Sequence, residues 1–483
     1  MKLSHRARLA VPAFIIVQAL LMMFPDVLLG QWEPDRKLSS IDTIAALNEN
    51  QGHCIVAGGD TVHVVWYDAQ NNGSAVLYKR SLDGGTTWGG DTRLTTTPSV
   101  ANMPLLAVSG STLHVAYRDS GSGHYASSYR RSLDGGNTWG PDFSLDGDTP
   151  WWPGVAAEGN TVFVSLNEDN SEVYFRRSTD NGASWEAKQQ ISNATGRSED
   201  PSIAAGSGFV HVAWNDTRTG VMHTYYRRSS DQGVTWGPET PLNSTNTYSP
   251  HVSVFGSFVD VLWADRRSGD FDIYLRESSD FGSTWGQEKQ LSADAATSLY
   301  PVIARDGSNV HIVWWNLSGD IAYRHSGDGG TTWDPAISLV GAASQPSKPF
   351  IAIAGPAVHV IWTDRRDGHP AIYYKRNPTG NSPTTGVVSA RPDDRPASFT
   401  LSAFPNPFNP TTTIEFSIPE DGKVTLGVYD LLGREVAVLL EGERKAGNVT
   451  PVVFDASGLS SGVYLCRLEA GSHSLIKTLL VLK

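Results

Sequence analysis

"SLDGGTTW" (Ser81 to Trp88) sets a turn of Asp, Gly and Thr directly against a tryptophan, and the chain writes it six times. The other copies are "SLDGGNTW" (Ser132 to Trp139), "STDNGASW" (Ser178 to Trp185), "SSDQGVTW" (Ser229 to Trp236), "SSDFGSTW" (Ser278 to Trp285) and "SGDGGTTW" (Ser326 to Trp333). A catalytic motif normally occurs once, so six copies speak for architecture. Each residue type has a mechanical use. The carboxylates of Asp83, Asp134, Asp180, Asp231, Asp280 and Asp328 can accept N–H bonds inside their own turns. A glycine such as Gly85 reaches positive φ without steric penalty, and Trp88 opens the next stretch with a large ring to bury.

Upstream of these turns lies a second repeat, a strand-like stretch ending in a polar residue: "VHVVWYD" (Val62 to Asp68), "LHVAYRD" (Leu113 to Asp119), "VFVSLNE" (Val162 to Glu168), "VHVAWND" (Val210 to Asp216), "VDVLWAD" (Val259 to Asp265), "VHIVWWN" (Val310 to Asn316) and "VHVIWTD" (Val358 to Asp364). Each unit reads as four short strands: one that follows a proline, the V-H-V-x-W strand, a third such as "TYYRRS", and a fourth starting at the turn's Trp. A period of about 50 residues with four strands per unit predicts an all-β, seven-bladed β-propeller, because a lone twisted sheet cannot bury both of its faces. The seventh unit lacks a fourth strand, and "QWEPDRKLSS" (Gln31 to Ser40) aligns with "TWGPETPLNS" (Thr235 to Ser244). The N-terminal strand is therefore expected to pair with Ala371 to Arg376, closing the ring and leaving no open edge.

The remaining length, of 483 residues in total, calls for at least one further folding unit. The net charge of -12, with no Lys/Arg run beyond the N-terminus, excludes a nucleic-acid surface. Cys54 and Cys466 stand too far apart for a disulfide framework and read as two separate buried thiols, and no Cys/His spacing suggests a metal or cofactor. Residues 1 to 30, with Lys2, Arg6 and Arg8 ahead of an apolar stretch, read as a signal peptide, and no later stretch is apolar and long enough for a permanent membrane span. The propeller is assigned to 31 to 376 and a Pro/Gly/Ser/Thr linker to 377 to 397. Alternating apolar and polar residues between turns in 398 to 483 predict a small Ig-like β-sandwich.

The turn S-x-D-x-G-x-T-W resembles the Asp-box, or BNR repeat, of sialidases and related propellers, and six copies cover the predicted propeller. That resemblance implies turns lying opposite the ligand face. It also implies either a non-enzymatic propeller or a sialidase-like glycoside hydrolase or lyase acting on acidic glycans, with a Tyr nucleophile, a Glu partner, an Asp acid/base and an arginine triad. Two features depart from the sialidase pattern. "QGHCIV" (Gln51 to Val56) stands where the F/Y-R-I-P motif is expected, and the blades number seven instead of six. Within the C-terminal stretch, "PNPFNP" (Pro405 to Pro410), "VYDLLGREV" (Val428 to Val436) and "LSSGVY" (Leu459 to Tyr464) resemble the sorting domain of the type IX secretion system. This implies export through outer-membrane secretion machinery and a secreted or cell-surface location in a Gram-negative bacterium.

Subtracting the repeat leaves candidate ligand residues. Of 15 tryptophans, Trp151, Trp152 and Trp315 have no repeat role, and they map to the loop face opposite the aspartate turns. Exposed rings there could stack on sugars, with packing between blades as the alternative. Arg218, Arg267 and Arg366 follow strand 2 at equivalent positions. They could converge on a sugar carboxylate, or each could pair with the Asp two residues before it. The segments leading into strand 1 add Glu199, Asp200, Tyr248, His251, Tyr300 and Lys348. The strand 2 histidines (His63, His114, His211, His311, His359) recur with the blades and read as packing. The expected partner is an extracellular glycan or protein ligand.

Overall fold

The computed structural model describes residues 32–380 and 400–481, apart from 41–43, 48–51, 71–72, 96–99, 121–124, 146–149, 169–171, 194, 294–295, 341–343, 405, 407, 419–420, 431–433, 445–449 and 472. The expected signal peptide and most of the expected linker lie outside the described residues. The chain divides into two units, Met1–Thr384 and Thr385–Lys483.

The first unit is a ring of seven antiparallel sheets. Blade 4 shows the plan: Ser198–Gly206, Phe209–Asp216, His223–Ser229 and Thr240–Pro241 form a meander of strands 1 to 4. Strand 2 alternates its two faces between two neighbours. Val210, Val212 and Trp214 pack with Phe163 and Phe175 of blade 3. Ala213, on the other face, packs with Val252 and Trp263 of blade 5. Both faces are apolar because both are covered, which is why these strands read as near-continuous hydrophobic runs. Strand 1 of each blade packs against strand 1 of the next, and blade 7 against blade 1, so these strands line the axis.

Closure occurs in blade 7, where Arg36 and Lys37 pair with Tyr374 and Tyr373. Glu33 N–H donates to the Arg376 carbonyl at 2.7 Å, and Leu38 N–H to the Ile372 carbonyl at 2.8 Å. Fourth strands are shorter than the sequence suggested: in blade 4 only Thr240–Pro241 pairs, beginning four residues past Trp236. Blade 1 departs further. Its strand 1 is split into Ile44–Ala46 and Ile55–Gly58, both paired with strand 2.

The second unit is a β-sandwich. A three-stranded sheet (Thr400–Phe404, Thr411–Ser417, Thr450–Asp455) accompanies a four-stranded one (Gly422–Tyr429, Glu435–Arg444, Gly462–Ala470, His473–Val481). Ile414, Phe416, Val424, Leu426, Phe454, Cys466 and Leu468 form its core. Cys54 and Cys466 are both buried thiols outside any disulfide. Among the described residues no helix is long and apolar enough to cross a membrane.

Candidate ligand face

The aspartate turns are mechanical. In the first, Asp83 Oδ1 accepts the Thr87 N–H at 2.7 Å and Oδ2 accepts the Thr87 hydroxyl at 2.6 Å. The Ser81 hydroxyl donates to Asp83 at 2.7 Å and accepts the Gly85 N–H at 2.8 Å. Asp134, Asp180, Asp231, Asp280 and Asp328 repeat the arrangement. The bonds from Thr87 and Ser81 hold the Asp83 carboxyl at about 2. The glycine is a socket for the neighbouring blade: at Gly282, with φ of 74°, a Cβ would lie 1.9 Å from the hydroxyl of Tyr226 in blade 4. Tyr226 in turn hydrogen-bonds His211 Nδ1 at 2.7 Å, and Trp285 meets its ring edge-on at 4.8 Å.

All five strand 2 histidines make this bond to a strand 3 tyrosine. Burial holds His63 and His114 near 4, and His211, His311 and His359 near 3, so they stay neutral. Two seams differ. Between blades 3 and 4, Phe163 stacks with Phe175, whose ring meets Trp236 at 4.9 Å. Between blades 5 and 6, Asp260 stands at the histidine position and pairs with Arg305 at 2.6 Å, both side chains 1 % exposed. Arg305 also reaches Glu277 at 2.7 Å, which binds Lys289.

The opposite face is built on a backbone irregularity. In blades 2 to 7, strand 1 breaks register after its first residues. The residue that leaves the ladder takes a left-handed conformation ahead of a proline: Met103, Trp152, Asp200, Ser249, Tyr300 and Lys348, with φ between 52° and 55°. Proline has no N–H to waste in a bulge, which explains its presence there. A non-glycine residue at positive φ costs of order 1 kcal/mol and concentrates where structure serves function. Prolines first read as leaders of strand 1 therefore sit inside it.

Three of the sequence candidates, joined by Phe271, fall on these bulges or beside them as an aromatic group spanning blades 5 and 6. Tyr300 stacks on Trp315 at 6.0 Å and 20°, Tyr248 meets Tyr300 at 6.5 Å, and Phe271 lies 6.4 Å from Tyr248. Tyr248 is 37 % exposed. Trp152 occupies the bulge of blade 3. Trp151 pairs with Asn167 in the ladder, and its side chain lies outside the described residues. Glu199 is buried and paired with Arg197, and Asp200 accepts a bond from Asn215 Nδ2 at 3.0 Å.

The three arginines are not brought together. Arg218 binds Asp216 and Glu239, Arg267 binds Asp265 and Glu288, and Arg366 binds Asp364 and Asp35. Each guanidinium also lies over a tyrosine of its own blade, Tyr225, Tyr274 or Tyr373, at 4.1 to 4.3 Å. Glu239, Glu288 and Asp35 belong to the outer segments, so these pairs run away from the axis and brace loops.

Sequence reading named His251 but missed His53 and the contact the two make at the axis. Where blade 1 interrupts strand 1, the His53 carbonyl accepts the Leu106 N–H of blade 2 at 2.7 Å, and the Cys54 thiol donates to the Pro104 carbonyl at 3.3 Å. The His53 ring thereby reaches His251 of blade 5, a blade that is not its neighbour, at 5.4 Å and 89°. His53 also lines a cavity of about 180 Å3 together with Val56, Leu106, Val155, Ile203 and Val254. Burial lowers His53 to about 4 and holds His251 well below the ordinary imidazole range. Among the described residues no cluster of three or more His, Cys, Asp or Glu could hold a metal ion.

Residues 402–482 match the family described as secretion system C-terminal sorting domain. The C-terminal sandwich is a sorting domain. The protein that carries it is secreted or held at the cell surface. No curated protein sequence matches the chain. Solved structures with a similar fold include an ulvan lyase of a polysaccharide lyase family, 12 % identical, with a TM-score of 0.48 and covering 70 % of this chain and 95 % of that one. The endosialidase of phage phi92 is 11 % identical, with a TM-score of 0.45 and coverage of 92 % and 87 %. The sialidase of Trypanosoma rangeli is 10 % identical, with a TM-score of 0.40 and coverage of 93 % and 89 %.

Proposed function

We propose that this is an exported glycan-binding propeller whose ligand rests on the bulged face, against Tyr248, Tyr300 and Trp315. The observation that carries the reading is that three aromatic rings meet at the ends of strands whose backbone is strained at six equivalent places, on an exported protein. Aromatic faces take the C–H faces of sugars, and a site on rigid strands keeps its geometry at little entropic cost. Binding is favoured over hydrolysis because Glu199 and Asp200, acids on this face, are engaged by Arg197 and Asn215. The arginines expected to hold a sugar acid are committed to their own blades.

A glycan array probed with the full chain and with Trp315→Ala tests the reading. The parent is expected to retain a defined set of glycans, and the variant to bind them about tenfold more weakly with its melting temperature little changed, as for loss of one stacking ring. A parent that binds no glycan, or a variant that melts early while binding normally, overturns it.

A further inference from the structure

The axis of the bulged face contains a buried polar group without use in the fold. His251 is 0 % exposed, and among the described residues neither of its ring nitrogens has a hydrogen-bond partner. A buried imidazole left in this state is costly, since each unpaired polar atom forfeits its hydration. The five strand 2 histidines each spend Nδ1 on a tyrosine, whereas His251, on strand 1, has no such partner. His251 sits on the same face of its strand as Tyr248: Tyr248 pairs with Ala264 and His251 with Leu262, and alternate residues of a strand share a face. The half-buried ring beside it, His53, comes from across the ring, from the gap in the one strand 1 that is interrupted.

We propose that His53 and His251 form the floor of the glycan site, and that the site selects an uncharged, hydroxyl-bearing sugar over a sugar acid. This inference rests on the glycan-binding reading above. A neutral imidazole has one donor nitrogen and one acceptor nitrogen, and a hydroxyl group offers both roles in return. A hydroxyl entering between the two rings would give His251 the partner it lacks, while the pyranose lies against Tyr248 and Tyr300. Burial keeps both rings uncharged at neutral pH, so the floor offers no counter-charge to a carboxylate. Arg266, whose guanidinium lies 5.9 Å from the Phe271 ring, spends its Nε on the Gly269 carbonyl of its own turn at 3.0 Å. Lys348 at the blade 7 bulge and Arg118, whose guanidinium lies 3.5 Å over the Tyr125 ring, stand on blades 7 and 2.

Calorimetric titration of the full chain with a neutral panel (dextran, xylan, galactomannan) and an acidic panel (polygalacturonate, alginate, polysialic acid) decides the matter, alongside His251→Leu. Binding of a neutral polysaccharide is expected, weakened about tenfold or more in His251→Leu. The variant's melting temperature should hold or rise, because an unpaired buried polar group has been replaced by an apolar one. A structural role predicts the reverse: a lower melting temperature with affinity intact. Should His251→Leu fail to fold, the structural role is supported for His251, and His53→Ala, on the half-buried partner, must still weaken neutral binding for the floor to stand. Binding of the acidic panel alone overturns the selectivity and leaves the glycan reading in place, whereas binding of neither panel removes both.

Discussion

The two ends of the same strands follow opposite rules. On one face, six aspartate turns repeat nearly the same side chains, because five seat a ring of the preceding blade and the sixth seats Glu277 in the same socket. On the other, six bulges repeat only a backbone: Met103, Trp152, Asp200, Ser249, Tyr300 and Lys348 share a left-handed conformation and a following proline and nothing in their chemistry. Repetition of side chains marks the parts that hold the ring together. Repetition of backbone with divergent side chains marks a scaffold on which different groups are presented.

The sharpest way to stress the uniform end is acid. The five histidines of the seams would titrate near 6.5 in the unfolded chain and are held near 3 to 4 in the fold. Between those limits the unfolded state binds protons that the native state refuses, so stability is full above about pH 6.5 and falls as pH drops toward 4. Each such histidine costs about 1.4 kcal/mol per pH unit in that window. Thermal melts from pH 8 to pH 4.5 should show a steep fall beginning below pH 6.5, and a flat profile would mean that the seams are not what holds the ring.

A single methyl group makes the next test. Gly282→Ala places a Cβ 1.9 Å from the Tyr226 hydroxyl at a positive φ, and should cost about 3 kcal/mol or more. Gly220→Ala, on the bulged face with φ of 83° and nothing within 4 Å of the new Cβ, bears the backbone penalty alone, about 1 kcal/mol. Equal denaturant midpoints for the two variants would contradict the socket.

Arg267→Ala should lower stability by about 2 kcal/mol, because buried Asp265 loses its guanidinium partner, and should leave glycan titrations unchanged. A binding defect in a stable Arg267→Ala protein would bring the arginine back as a ligand residue. The smallest effect is expected for Asp231→Ala. Its lost bonds to Thr235 and Ser229 lie at an exposed turn and are worth about 1 kcal/mol together, again without effect on binding.

Most of the ring was legible before any coordinates. Copies of one octapeptide and of V-H-V-x-W counted the blades, and the missing seventh strand pointed to Trp32 and its neighbours, because a repeat makes an omission visible. Trp315 emerged the same way, as a tryptophan that the repeat did not need. The bulges were hidden because a left-handed φ leaves no common side chain, only a proline that also fits a strand start. His251 was readable as a candidate at the start of strand 1, but His53 and the contact between the two rings were hidden for a different reason. Their contact exists only once blades 1 and 5 have been carried around the axis, and no spacing along the chain encodes that. At the seam of blades 5 and 6, Asp260 in a histidine column was a readable departure, but its partner Arg305 sits 45 residues on.

The closing strand also governs how such a molecule comes undone. A linear array of repeats can fray from its terminal units, because each repeat touches only its neighbours. Here the Arg366 to Asp35 pair and the ladder beside it join positions at least 331 residues apart, so the strand that precedes blade 1 must wait for the last blade before its ladder bonds exist. Folding carries a large loop-closure cost and a late, slow final step. Once that latch is made, no blade is terminal, and unfolding has to open the circle before it can release any single sheet.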